Sequence, residues 1–231
     1  MELLLDIGNS RSKARLAAGG QLSEIQLENI CAEQWSSIKA VYCASVAADS
    51  RVLAIREQIP SAIPFIQIRS EAQAFGVINS YQQPHLLGVD RWLALVAAAE
   101  IHPNTDLLIA DAGTALTIDW LSAAGAHQGG WILAGQKLQQ EAVLSKTAKV
   151  FSAELETEQL CPATDTATAL YQGAIAALVG AIRHAYAIKP TQRIILTGGD
   201  ARLLQKYLTD LPIQLEPQLI FQGLARYIQP N

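Results

Sequence analysis

The sequence predicts an α/β protein made of two similar halves, residues 1–105 and 106–231, with mixed sheets and a central cleft. Three observations carry that reading. An apolar strand that runs into Asp, any residue, Gly and a small polar residue occurs as Leu3-Leu4-Leu5-Asp6-Ile7-Gly8-Asn9-Ser10, and again as Leu107-Leu108-Ile109-Ala110-Asp111-Ala112-Gly113-Thr114. Each copy is followed by short alternating segments broken by glycine turns, as expected of antiparallel strands. Between the copies lies a helical stretch that is apolar nearly all round, Val89 to Ala98, which belongs in a core.

Taken in order, an apolar strand from Leu3 and alternating segments at 13–17 and 22–27, divided by the glycine turn after Asp6 and by Gly19-Gly20, predict a three-strand meander. A buried strand at 40–43, a helix at 49–58 and a strand at 65–68 complete the first half. The segment Gly88-Val89-Asp90-Arg91-Trp92 opens a helix that Pro103 helps to end. The second half repeats the order with strands at 107–110, 116–120 and 131–133. Helices at 137–147 and 166–187 follow, then a strand at 193–196 and the Gly198-Gly199 turn.

Composition narrows the function. The chain has 231 residues, half of them apolar, so it can bury a sizeable core. Charged residues make up 16%, below the roughly 25% usual in soluble proteins, so apolar surface is expected to be hidden, including at a subunit contact. A net charge of -4 and no Lys/Arg cluster argue against nucleic acid as the partner. No apolar run reaches the ~18 residues of a membrane span, and no basic segment leads into an apolar stretch at the N-terminus, so a cytoplasmic location is expected. Cys31, Cys43 and Cys161 are odd in number and widely spaced, and the four histidines share no metal-ligand spacing.

Chemistry concentrates at the doubled phrase. A carboxylate at a strand end can hold a metal ion, and the following glycine lets a phosphate approach the backbone. Competing nucleotide signatures fail. There is no GxGxxG, and Gln136 stands where a Walker A loop spaced from Gly130 and Gly135 would need Lys. Asp90 and Arg91 lie in the first turn of the central helix, where the dipole favours a carboxylate. Spacing alone leaves two readings open there, a helix cap with an ion-paired Arg, or a pair facing a cleft.

The ordered set DIGNS at Asp6 to Ser10, Lys13, GVDR at Gly88 to Arg91, DAGTA at Asp111 to Ala115, GGWILAG at Gly129 to Gly135 and TGG at Thr197 to Gly199 resembles type III pantothenate kinases through nearly the whole chain. These belong to the acetate kinase, sugar kinase, Hsp70 and actin superfamily. Ala94 stands where many members carry Asn, and Ala134 where many carry Pro. The resemblance implies a duplicated ribonuclease H-like (actin-like ATPase) fold and ATP-dependent phosphorylation of pantothenate to 4'-phosphopantothenate, the first step of coenzyme A synthesis. By the same resemblance Asp6 organises Mg2+, and Gly8, Asn9, Ser10, Lys13, Gly113 and Thr114 hold ATP phosphates. Asp111 lies near a monovalent cation, K+ or NH4+. Asp90 is the expected general base. Tyr81, Gly88, Val89, Asp90 and Arg91 contact pantothenate, and Thr166 completes the pocket of the partner in a homodimer. The alternatives are a kinase for another small hydroxyl substrate, against which GVDR speaks, and a non-catalytic regulator, for which three retained carboxylates would have little use.

Overall fold

The structure, a computed structural model, describes residues 1–153 and 160–228. The chain divides into one unit of Met1–His102 with the C-terminal segment from Gln218, and a second of Pro103–Pro217. Placing the halves at 1–105 and 106–231 therefore does not capture the return of the C-terminal segment to the first unit.

In the first unit β1 (Glu2–Ile7) pairs antiparallel with β2 (Ser12–Ala18), which pairs antiparallel with β3 (Gln21–Ile25). The β2–β3 connection is the Gly19-Gly20 dipeptide with φ of 56° and 78°, a left-handed pair suited to a tight hairpin. On its other side β1 runs parallel to β4 (Val41–Ser45), and β4 to β5 (Phe65–Gln67). Leu3, Leu5 and Ile7 pack on one face of this sheet with Val52 of α2 (Asp49–Arg56) and with Ile38, which follows α1 (Ala32–Ser37). The pleat sends Leu4 and Asp6 to the opposite face. Leu4 pairs with Arg15, whose guanidinium lies 5.1 Å from the Phe221 ring centroid of α7 (Leu219–Ala225), so the Asp6 face is the one that α7 covers.

α7 packs in turn on α3 (Val89–Ile101), where nine residues, Arg91 and Trp92 among them, are buried. Gly223 makes the approach possible, since a Cβ there would collide with the backbone of Leu93. A small hairpin, β6 (Gln73–Ala74) and β7 (Val77–Ile78), turns through Phe75 and Gly76 ahead of α3.

The second unit repeats the first in order and strand sense. β8 (Leu107–Ala112) is flanked by antiparallel β9 (Ala115–Leu121) and then β10 (His127–Ala134) on one side. Parallel β11 (Arg193–Thr197) and then β12 (Ile213–Leu215) lie on the other. The strand orders β3-β2-β1-β4-β5 and β10-β9-β8-β11-β12 correspond element for element, which is the duplication expected. Leu108, Ala110 and Ala112 pack with α5 (Thr166–Ile188) and α6 (Ala201–Gln205), so Asp111 projects from the face opposite that core, as Asp6 does. α4 (Gln136–Lys146) follows β10, and no helix of the described residues is long and apolar enough to cross a membrane.

Candidate active site

Asp6 is the fifth residue of the six in β1, and Asp111 the fifth of the six in β8. Asp6 pairs laterally with Lys13 and Ala44, and Asp111 with Thr117 and Thr197. The pairing with Lys13 puts an ammonium on the face of Asp6, and its charge opposes the effect of burial. Burial dominates: it pushes the Asp6 carboxyl up to about 6, with the Asp90 charge adding to the rise. Asp90 therefore lies near enough for the two like charges to be felt, which places the end of β1 and the first turn of α3 beside one another. Cys43, on the strand beside Asp6, is a buried thiol pushed up to about 12 by burial and by the Asp6 charge, which makes it inert as a nucleophile.

After Asp6 the chain makes a short exposed turn. Gly8 N–H donates to the Arg11 carbonyl at 2.9 Å, and Asn9 and Ser10 are open to solvent. Arg51 of α2 braces this turn by donating to the Asn9 carbonyl at 2.6 Å and the Ser12 hydroxyl at 3.3 Å. The matching turn of the second unit has Gly113 N–H donating to the Ala115 carbonyl at 2.9 Å, with Thr114 exposed. Two further glycines close around it. A Cβ at Gly135 would collide with the Gly113 and Thr114 carbonyls. One at Gly198, where φ is 93°, would strike the Ala112 carbonyl and the Asp111 carboxylate. The GGWILAG and TGG segments thus serve the DAGTA turn by letting backbone crowd it.

At the start of α3, Gly88 is the N-cap and Asp90 sits inside the first turn, its Oδ1 accepting the Arg91 N–H at 2.8 Å. The Asp90 carboxylate thus caps a free N–H of the first turn, so the capping role holds for Asp90 whatever else it faces. Gly88 leaves the space the carboxylate occupies, since a Cβ there would lie 2.6 Å from Asp90 Oδ1. Val89 is buried beneath the turn. Arg91, 5% exposed, donates from Nη1 to the Tyr81 hydroxyl at 2.9 Å and lies 5.8 Å from that ring's centroid. Tyr81 reaches this position because Asn79 Oδ1 accepts its N–H at 3.0 Å, while Asn79 Nδ2 donates to the Glu71 and Pro84 carbonyls. Ser70 donates to the Leu87 carbonyl at 2.7 Å and fastens the other end of the same loop.

The first unit thus brings together Asp6, Lys13, Asp90, Arg91 and Tyr81. Gly113, Thr114 and Asp111 form a separate group in the second unit. Thr166 is the exposed first residue of α5, one position after the cap Asp165, whose carboxylate accepts the Thr168 N–H. Among the described residues no cluster of three or more His, Cys, Asp or Glu is arranged to hold a metal by itself. Ala94 is buried in α3, and the Ala134 carbonyl accepts from Gln139 at 2.8 Å. Arg51 and Ser70 carry no sequence signal, because their partners lie far along the chain and meet them only in the fold, while Asn79 acts within its own loop. The turn-forming Asn79-Ser80 pair is the single local hint.

A family model for type III pantothenate kinase matches residues 2–187. The chain is 35% identical to the type III pantothenate kinase of Colwellia psychrerythraea over 98% of this chain and 100% of that protein. It is 35% identical to that of Pseudoalteromonas translucida over 97% and 94% of the two chains, and 34% identical to that of Pseudomonas aeruginosa over 97% and 98%. The chain belongs to the type III pantothenate kinase family.

Solved structures agree on the fold. A Campylobacter jejuni protein assigned to the Baf family of transcriptional activators matches with a TM-score of 0.62 at 23% identity, covering 97% of this chain and 96% of that one. A Sinorhizobium meliloti protein described as a 2-dehydro-3-deoxygalactonokinase matches with a TM-score of 0.60 at 15% identity, covering 100% of both chains. The architecture, a duplicated α/β unit with mixed sheets, is the fold shared with these two solved structures.

Proposed function

We propose that this chain transfers the γ-phosphoryl group of ATP to the primary hydroxyl of pantothenate, giving 4'-phosphopantothenate and ADP and opening coenzyme A synthesis. Family membership supports the activity. The observation in the fold that carries it is the Asp90–Arg91–Tyr81 group at the head of α3, a carboxylate beside a buried guanidinium that a tyrosine orients.

In this reading Asp90 accepts the proton of the substrate hydroxyl as its oxygen bonds to the γ-phosphorus. The bond to the β,γ-bridging oxygen breaks and ADP leaves. Arg91 and Tyr81 anchor the pantothenate carboxylate, a task suited to the planar fork of a guanidinium. Gly88 and Val89 set the wall beside them. Gly8, Asn9, Ser10 and Lys13 hold ATP phosphates through backbone N–H groups, small side chains and an ammonium, and we assign Gly113 and Thr114 the same role.

Asp6 fits a Mg2+ site. It is a carboxylate whose charge is disfavoured by burial and by Asp90, and a cation would relieve both. Mg2+ needs few protein ligands because phosphates and water fill the rest of its shell, and it would neutralise charge on the transferring group. The Asp111 carboxylate and the Ala112 carbonyl both lie against Gly198 and supply oxygen donors of the kind K+ or NH4+ takes.

We extend the reading to a cytoplasmic homodimer in which Thr166 serves the partner's pocket. Gly173 and Gly180 are exposed on α5 and a Cβ at either would meet nothing among the described residues, so packing among those residues does not explain them. The test of the function is ADP release over a panel of small hydroxyl compounds with ATP and Mg2+. Pantothenate should be preferred by orders of magnitude, and a panel led by a sugar or polyol would replace this reading.

A further inference from the structure

Hydrogen bonds around the head of α3, joined through the covalent bonds within Glu71 and Tyr81 and between Arg91 and Trp92, form a circuit that passes through the C-terminal segment. Trp92 follows Arg91 directly, is fully buried, and donates from Nε1 to the Tyr227 hydroxyl at 2.8 Å. Tyr227 donates to Glu71 Oε1 at 2.5 Å. The Glu71 carbonyl accepts Asn79 Nδ2 at 3.0 Å, Asn79 Oδ1 accepts the Tyr81 N–H at 3.0 Å, and the Tyr81 hydroxyl accepts Arg91 Nη1 at 2.9 Å. The circuit therefore runs Arg91, Trp92, Tyr227, Glu71, Asn79, Tyr81 and back to Arg91.

Tyr227 is built into this place. Its ring meets Phe75 edge-on at 4.9 Å, and Phe75 itself sits at a φ of 51°, a backbone state that bulky residues adopt only under constraint. The Arg226 guanidinium lies 5.4 Å from the Phe75 ring centroid and pairs with Glu100 at 2.7 Å. Burial and the bond to Glu71 hold the phenol well above its ordinary range, so it remains protonated as a donor.

We propose that Tyr227 is a positioning residue for the pantothenate end of the site, acting through Trp92 on one side and the Glu71–Asn79 loop on the other to fix Arg91 and Tyr81. Tyr227 reaches no reacting atom. It sets the spacing between the helix that carries Arg91 and the loop that carries Tyr81, and small errors in such spacing weaken binding steeply. The inference rests on the pantothenate reading for its substrate, but the coupling of Tyr227 to Arg91 and Tyr81 can be measured without any substrate.

The experiment compares Tyr227→Phe, Glu71→Leu and the conservative Glu71→Gln in the full chain. Three readouts are taken: steady-state kinetics, thermal melting, and the NMR signals of the Tyr81 amide and Arg91 side chain in the free protein. Tyr227→Phe and Glu71→Leu should raise KM for pantothenate about tenfold while leaving KM for ATP within about twofold. Glu71→Gln, which keeps an acceptor, should recover most of the loss. In Tyr227→Phe both NMR signals should move. Unmoved signals, or a KM for pantothenate within about twofold of wild type, overturn the proposal, as does a proportional rise in both KM values with a fall in melting temperature. Wild-type protein that ignores pantothenate while the signals still move refutes the substrate reading and leaves the coupling standing.

Discussion

Arg91 Nη1 and the Tyr81 hydroxyl lie 2.9 Å apart, and both groups belong to parts of the chain that nothing in the local sequence requires to meet. Arg91 is almost wholly buried, and this bond and the ring beside it help to set its orientation.

Replacing the fork should cost substrate binding. Arg91→Lys retains a charge but loses the planar donor pair, and KM for pantothenate is expected to rise about 10- to 100-fold, as charge-assisted hydrogen bonds are worth about 1.5–3 kcal/mol. Tyr81→Phe should show a smaller rise. Initial-rate measurements with ATP saturating decide the point, and an unchanged KM in Arg91→Lys would remove Arg91 from the binding role.

Gly88 protects the proposed base. With only 2.6 Å between a Cβ at this position and Asp90 Oδ1, Gly88→Ala must displace the carboxylate. Its kcat should fall by roughly tenfold or more, since a positioned base contributes about 10²–10⁴ in rate. Circular dichroism should still report a folded chain, because Gly88 has ordinary backbone angles. Wild-type kcat in this variant would show that Asp90 tolerates movement and is not the base.

Asp6 should make the unliganded protein less stable as pH rises. Its folded-state value of about 6 lies above the 3.8 of an ordinary Asp, so the folded chain holds the proton more tightly than the unfolded one. The resulting stability is complete below about pH 4 and is lost as pH climbs through about 6, with a total on the order of 2–3 kcal/mol. Asp6→Asn should therefore melt above wild type near pH 8, lose that advantage toward pH 4, and fail to turn over ATP. Melting curves across that range check the sign. A variant that melts below wild type near pH 8 would contradict it.

Gly198→Ala combines a left-handed backbone with a collision against the DAGTA turn. A loss of at least about 1–3 kcal/mol is expected from the backbone strain alone. Denaturant titration measures it. A loss below about 0.5 kcal/mol would mean that the turn yields easily and that its close packing is not needed.

Much of the fold could be read from the sequence because the duplicated strand phrase and the glycine turns are local. Residues 13–17, the Gly19-Gly20 turn and the long helix from Thr166 all appear close to where periodicity put them. The helix predicted at 49–58 stops at Arg56, and β10 runs longer than the predicted 131–133. The C-terminal elements were missed for physical reasons. β12 has three residues, and Gly223 reads as a helix breaker although it is the point where α7 meets Leu93. Motif residues such as Asp6, Asp90 and Gly113 were found because their spacing repeats or matches a family. Arg51 and Tyr227 were not, since each acts across a long stretch of chain and carries no pattern of its own, and Asn79 acts within its loop with only a turn-forming pair to mark it.

The central claim is that Asp90 draws the proton from the pantothenate hydroxyl during transfer from ATP. The direct measurement is single-turnover formation of 4'-phosphopantothenate, followed by mass spectrometry, in wild type and Asp90→Asn at saturating substrates. The account predicts rapid product formation in wild type and a rate lower by about 10²–10⁴-fold in the variant, with its melting temperature and ATP binding retained. Product formation at the wild-type rate in Asp90→Asn would contradict it.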